Sequence, residues 1–272
     1  MTGNYVHGYS TEESERLVRQ AGILSGFIHA NAIFAPGSRV LEAGCGVGAQ
    51  TIQLAQRNPQ VQFVAIDRSV ESLDTARNSI EELELKNVKF QRADIHELPF
   101  ADAEFDGAFL CFVLEHLAAP QRALREVGRV MRAGATIHAF EGDHGSVLTW
   151  PDDPAVGSMV AAIAKLQKLE GGDACLGRRL CPLLKSAGFV EINVEPVVAY
   201  ADSTRPHWVE EFGKATITEM FALQETGVLA RGLLGAAEWR AGMQAVHRAT
   251  GEDGTFAYTF FRAFAKRSGD LS

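Results

Sequence analysis

Cysteine is scarce in this chain: four in 272 residues, Cys45, Cys111, Cys175 and Cys181, with no C-x-x-C pair among them. That excludes a scaffold stapled by disulfides and a zinc quartet with ligand spacing. It leaves the expectation of four reduced, mostly buried thiols in a cytoplasmic protein. Long apolar runs are lacking too. Nothing approaches the roughly 18 apolar residues that a membrane span needs, and residues 1–10 hold no apolar signal core. No membrane partner is expected. Basic charge is short, with 26 Lys plus Arg against 34 Asp plus Glu and a formal net charge of -8. Proteins that grip nucleic acid through its phosphates usually carry a basic surplus, so nucleic acid is not an expected partner. Repeats, low-complexity segments and H-x-x-x-H pairs are missing as well, and no metal site is expected. What is present is an ordinary globular composition, 46% hydrophobic and 22% charged, enough for one elaborated domain of 1–272, as a monomer or homodimer.

Helix and strand patterns alternate along the first half. Ser10 and Glu13 have capping-box spacing, and Leu17, Ala21, Leu24 and Ile28 then recur on one helical face. Strands are predicted near residues 40–43, 61–66, 88–93, 105–111 and 136–141. Between them lie helices marked by Ser69 as an N-cap, by Pro120 in a first turn, and by Gly134 as a left-handed stop. After Pro151 the pattern predicts two helices, a strand at 189–198, a helical stretch over about 203–250 and an aromatic strand at 255–264. The alternation predicts an α/β fold: a doubly wound, mostly parallel sheet with helices on both faces. Ligands of such sheets sit beyond the carboxyl ends of the strands.

The turn after the first strand reads Glu42-Ala43-Gly44-Cys45-Gly46-Val47-Gly48. Glycine is required where a backbone turns sharply or must approach a ligand without a Cβ in the way. Gly44, Gly46 and Ala49 also fit a dinucleotide fingerprint, so an NAD(P)-dependent oxidoreductase stays open on this motif. Asp67 ends the second strand, where a carboxylate can accept from ribose hydroxyls in either cofactor class. Two features favour a different ligand. Glu42 suits a ligand carrying a cationic ammonium group and sits poorly beside a pyrophosphate. Asp94, after the third strand, can accept from an exocyclic amine while Ile95 packs on a base.

On these pieces, together with Leu98-Pro99-Phe100, Phe105-Asp106 and Cys111-Phe112-Val113-Leu114-Glu115-His116, the chain resembles the class I S-adenosylmethionine-dependent methyltransferases. It looks most like small-molecule enzymes of the ubiquinone and menaquinone biosynthesis type. The resemblance implies a Rossmann-like seven-stranded sheet with its last strand antiparallel, an N-terminal helical lid (1–36), a cofactor-binding core (37–150) and a substrate-side segment (151–272) with a helical insertion. It implies S-adenosyl-L-methionine as cofactor and S-adenosyl-L-homocysteine as product. Gly44 and Gly46 would admit the methionine part, Glu42 would help place its amino group, and the main-chain carbonyl near Cys111 would face it. Asp67 would hold the ribose and Asp94 the adenine amine, with Arg68 and Ile95 flanking the base. Tyr9 would close over the cofactor. Ala133-Gly134-Ala135 replaces the Pro-Gly-Gly common in the family, and one glycine still allows the turn.

Methyl transfer from a sulfonium is a direct displacement, so alignment can supply much of the rate, and a base is needed only if the acceptor must lose a proton. His144, Glu141 and His116 are the candidates for that role, and a solvated loop or hydrogen-bonding role is the alternative for His144. Trp150, Trp208 and Trp239 point to a hydrophobic acceptor; Phe256, Tyr258 and Phe260 read as strand core. The sequence after the fourth strand lacks an Asn-Pro-Pro-Tyr-like tetrapeptide, which disfavours base methylation. A small-molecule acceptor is the expected partner, and a non-catalytic cofactor-binding protein is the alternative outside enzymes.

Overall fold

The computed structural model describes residues 11–269. Seven strands of the described residues form one sheet: β1 (Arg39–Ala43), β2 (Gln62–Asp67), β3 (Val88–Arg92), β4 (Phe105–Cys111), β5 (Met131–Trp150), β6 (Phe189–Asp202) and β7 (Thr255–Arg267). Their order is β3-β2-β1-β4-β5-β7-β6. The first five pair in parallel, and β7 runs antiparallel between β5 and β6. The strand order reverses between β1 and β4, which opens a crevice at their carboxyl ends.

Helices α1 (Thr11–Ile28), α2 (Ala49–Arg57), α3 (Val70–Glu82), α4 (Pro120–Val130), α5 (Pro154–Leu169) and α6 (Leu180–Ser186) flank the sheet. Each starts or packs for a local reason. The Ser69 hydroxyl accepts the Ser72 N–H at 3.1 Å and starts α3, and Asp153 does the same for α5 through the Ala155 N–H at 2.9 Å. Pro120 opens α4, where its missing N–H costs nothing, and Ala123, Leu124 and Val127 form the buried stripe behind it. Ala21, Leu24 and Ile28 of α1 are buried, and Leu24 and Ile28 belong to a core shared with α5 and β7. Leu124, Leu180 and Leu184 fill the core on the other side. Each fully buried leucine contributes about 1.5–3 kcal/mol.

Several elements differ from the sequence expectation. β5 is not confined to residues 136–141, because antiparallel pairing with β7 continues through Asp143 opposite Thr259 and resumes at Leu148 opposite Ala257. Gly134 is left-handed, with φ +77°, but it lies inside β5 near the shift in register with β4 and not at the helix end. The helical stretch of the insertion is broken into α7 (Pro206–Trp208), a π-helix (Val209–Thr218), α8 (Glu219–Ala222), α9 (Glu225–Ala230) and α10 (Ala236–Ala249). In the π-helix the Thr216 and Thr218 hydroxyls donate to carbonyls five residues back, at 2.6 and 2.7 Å. Of the cysteines, all free, only Cys45 is fully buried; Cys181 is exposed. The Ser10 cap and Tyr9 lie outside the described residues. Among the described residues, no helix is long and apolar enough to cross a membrane.

Candidate active site

A cavity of about 260 Å³ occupies the crevice at the β1 and β4 ends. Gly44, Cys45 and Gly46 of the turn after β1 form one wall, and Asp67 and Arg68 at the end of β2 form the next. Asp94, Ile95 and His96 follow β3. Cys111, Phe112, Val113 and His116 close the end beyond β4, under Leu17 and Gln20 of α1.

The glycine turn is shaped for close approach. Gly44 has φ +80°, and a Cβ there would stand 2.5 Å from Val113 Cγ2. Gly46 has φ +52°, and a Cβ there would meet no atom within 4 Å. The first glycine is needed for packing and for its backbone conformation, the second to leave space open. Asp67 ties this turn to α3: Oδ2 accepts the Gly46 N–H and Oδ1 the Ser69 N–H, both at 2.9 Å. Carboxylate oxygens have a second lone pair each, so both can still accept from a ligand. Asp94 Oδ1 accepts the His96 N–H at 2.8 Å and lies 2.9 Å from His96 Nδ1. The His96 N–H is the main reason the Asp94 carboxyl is held below the usual carboxylate range. His96 therefore lines the cavity and braces Asp94.

Glu42 lies behind the turn, 2% exposed, and its Oε2 is buried without a hydrogen-bond partner. Burial pushes its carboxyl up to about 8, and the nearby Asp67 charge adds to the effect. A lone buried carboxyl oxygen beside a ligand cavity is costly unless something binds it. Glu42 is not itself a cavity wall, so it would act on a ligand ammonium through water; with Asp67 and Asp94 on the walls, the residues present suit S-adenosylmethionine.

The base candidates divide. His116 lines the cavity, with Nε2 3.4 Å from Glu115 Oε1. Burial holds it neutral, its pKa lowered to about 3. Glu141 is fully buried, and its carboxylate is taken up by the main chain: Oε1 accepts from Val113 and Leu114 at 3.0 and 2.8 Å, and Oε2 from Glu115 at 3.2 Å. It holds the turn after β4 in place. The expectation of a solvated His144 is corrected, because β5 pairs through this position and buries it to 4% exposure. Burial lowers its pKa to about 4. His144 and Glu141 are not among the cavity walls. Tyr258, read as strand core, is buried and also lies 2.9 Å from His144 Nδ1 through its hydroxyl. Sequence periodicity detects the burial of Tyr258 but carries no signal for a contact spanning 114 positions. Phe112, with φ +55°, was likewise unsignalled as a cavity wall. None of the three tryptophans lines the cavity: Trp239 is buried in α10, Trp150 is exposed, and Trp208 packs on Phe27 at 5.3 Å. Among the described residues no group of three or more His, Cys, Asp or Glu is placed to hold a metal ion.

Comparison with known proteins agrees with this geometry. Residues 35–172 match the family profile described as a methyltransferase domain. The chain is 32% identical over 210 residues to the O-methyltransferase cnsE of Penicillium expansum, covering 72% of this chain and 69% of that protein. It is 28% identical over 222 residues to the 27-O-demethylrifamycin SV methyltransferase of Amycolatopsis mediterranei, covering 76% and 73%. The fold is shared with the phosphoethanolamine N-methyltransferase 2 of Haemonchus contortus, at a TM-score of 0.59 and 17% identity, over 95% of this chain and 58% of that one. The glycine turn, the strand-end carboxylates and the sheet order thus converge with the family match: the chain belongs to the class I S-adenosylmethionine-dependent methyltransferases.

Proposed function

We propose that this protein moves a methyl group from S-adenosylmethionine to a hydroxyl oxygen of a small organic molecule in a reducing cytoplasm. The carrying observation is the cavity itself. It joins Asp67, Asp94 and Ile95 at one end to a half-buried, neutral His116 at the other. Asp67 would hold the ribose, Asp94 the adenine amine, with Arg68 and Ile95 beside the base. Gly44 and Gly46 would admit the methionine part, Glu42 would attract its ammonium, and the Cys111 carbonyl would face it. When bound, the cofactor supplies an electrophilic methyl, so alignment of the acceptor is the main task left to the protein.

His116, His144 and Glu141 remain the candidates around the acceptor. His116 is the one that reaches the cavity; with its pKa lowered to about 3 it is too weak a base to take a hydroxyl proton at neutral pH, so it would serve there as a neutral hydrogen-bonding group. Glu141 acts by holding the backbone of this wall. The O-methyltransferase names of the two relatives support oxygen as the acceptor atom. α1 covers one side of the cavity through Leu17 and Gln20, and the segment after Pro151 selects the acceptor.

Two measurements test the reading. Calorimetric titration with S-adenosylhomocysteine should show binding, whereas NADH should not bind; the reverse result would overturn it. Labelled methyl from S-adenosylmethionine should then appear on members of a hydroxyl-bearing compound panel. Transfer only to matched amines would sink the oxygen assignment. Cofactor binding without transfer to any compound would favour a non-catalytic protein.

A further inference from the structure

His29 follows the last turn of α1 and is fully buried. Its ring is clamped on two sides. It stacks on Phe109 of β4 at 5.6 Å between centroids, 12° from parallel, and its Nε2 lies 2.7 Å from Gln50 Oε1 in the first turn of α2. One helical turn earlier, the Ser25 hydroxyl donates to Gln53 Oε1 at 3.0 Å, so two contacts fix α1 against α2. His29 is not among the cavity walls, but Gln50 is.

The direction of the His29–Gln50 hydrogen bond decides which branch of the amide is left over. Burial lowers the His29 pKa to about 4, so the ring is neutral at pH 7 and carries one proton. Gln50 Oε1 can only accept, which puts that proton on Nε2. Nδ1 is then a bare lone pair, buried without a hydrogen-bond partner. Turning the amide over would make its nitrogen the donor to Nε2 and move the ring proton to Nδ1. That would orphan a buried N–H, which is rarer in folded proteins than an idle acceptor. The amide nitrogen of Gln50 is therefore the branch left for the cavity. Among the described residues the Gln50 side chain makes no other hydrogen bond.

This nitrogen stands beside the glycine turn, where Gly46, Val47 and Ala49 line the cavity with Gln50. α2 has no side-chain cap at Gly48 and no acidic residue in its first turn, so the partial positive charge of its N-terminus is not offset there. An amide NH2 group in that place suits an anionic oxygen and repels an ammonium.

We propose that His29 is a positioning residue that holds Gln50 by its amide oxygen, so that the Gln50 NH2 group donates to the carboxylate of the cofactor's methionine part. The proposal rests on reading the cavity as the S-adenosylmethionine site. It separates the two charges of that part: Glu42 serves the ammonium through water, and Gln50 serves the carboxylate.

Calorimetric titration with two ligands tests it: S-adenosylhomocysteine, and its analogue with hydrogen in place of the α-carboxylate. Q50L should weaken S-adenosylhomocysteine at least about tenfold and leave the Kd of the analogue unchanged. H29M fills the space of the ring without an N–H, and should cut the preference for the carboxylate ligand at least about threefold. H29Q keeps a donor and should restore most of that preference. In the Q50L background H29M should change the preference no further. Equal weakening of both ligands by Q50L overturns the proposal, and so does an undiminished preference in H29M. Should H29M fail to fold, long-range proton–nitrogen NMR of the unmutated, histidine-labelled protein at pH 7 carries the decision, with the His29 signals assigned through contacts to Phe109. A protonated Nε2 and a bare Nδ1 are expected, and a protonated Nδ1 overturns the proposal. Binding of neither ligand to the unmutated protein would report failure of the cofactor reading, while the ring tautomer still decides whether His29 holds the amide oxygen.

Discussion

Asp67 Oδ2 accepts the Gly46 N–H at 2.9 Å, so the end of β2 and the glycine turn after β1 form one unit. The carboxylate that would bind a ribose also fixes the backbone that would cradle the methionine part. Asp67→Ala therefore removes a ligand contact and loosens the turn together. S-adenosylhomocysteine affinity should weaken by about 1.5–3 kcal/mol, roughly 10- to 150-fold in Kd. Titration calorimetry checks this; an unchanged Kd would remove Asp67 from the site.

The two glycines of the turn should fail differently. Gly44→Ala forces a Cβ to within 2.5 Å of Val113 Cγ2 at φ +80°. It should lower unfolding free energy by about 2–4 kcal/mol, from strain and overpacking together. Gly46→Ala meets no protein atom within 4 Å, so it should lose only about 1–2 kcal/mol for its left-handed backbone. Its Cβ would instead intrude on the ligand, and S-adenosylhomocysteine binding should drop at least about tenfold. Urea denaturation and calorimetry on both variants separate the two effects.

Cofactor binding should release a proton from Glu42. In the free protein burial raises this carboxyl to about 8, so it is mostly protonated at pH 7. A raised carboxyl favours the folded state at low pH, and that contribution is lost as pH rises from the ordinary carboxylate range through about 8. A ligand ammonium favours the ionised form, which reverses the penalty. S-adenosylhomocysteine affinity should thus rise with pH between about 6 and 8, and Glu42→Gln should flatten the profile. Binding enthalpies in buffers of different ionisation heat count the protons; no release at pH 7 would contradict the role.

Glu141 should matter for stability through its three main-chain donors. Glu141→Ala leaves the Val113, Leu114 and Glu115 N–H groups without their acceptor. An unfolding free energy lower by about 3 kcal/mol or more is expected, since each buried unsatisfied donor costs about 1–3 kcal/mol. Glu141→Gln retains one acceptor oxygen and should lose distinctly less. Equal losses in the two variants would argue against the capping role.

The parts of the site that were legible in the sequence share a property. Gly44, Gly46, Asp67 and Asp94 sit at strand ends, where function depends on position along one short stretch of chain. The same holds for the Ser69 and Pro120 helix starts. What was not legible depends on strand pairing. Glu141, Asp143 and His144 look like a polar exit from a strand, and they become buried only because β7 pairs alongside them as far as Thr259.

Local backbone rules and hydrophobic periodicity were therefore enough to determine the alternating α/β order, the glycine turn and the carboxylates beyond the strands. Those features need only neighbours a few residues apart. The tertiary structure decided which polar groups do what. It turned Glu141 toward the main chain, left Glu42 Oε2 buried without a partner, and set Tyr258 against a histidine 114 positions away. Burial changes the charge a group can carry and hydrogen bonding changes where its proton sits, and both depend on segments brought together only when the sheet closes.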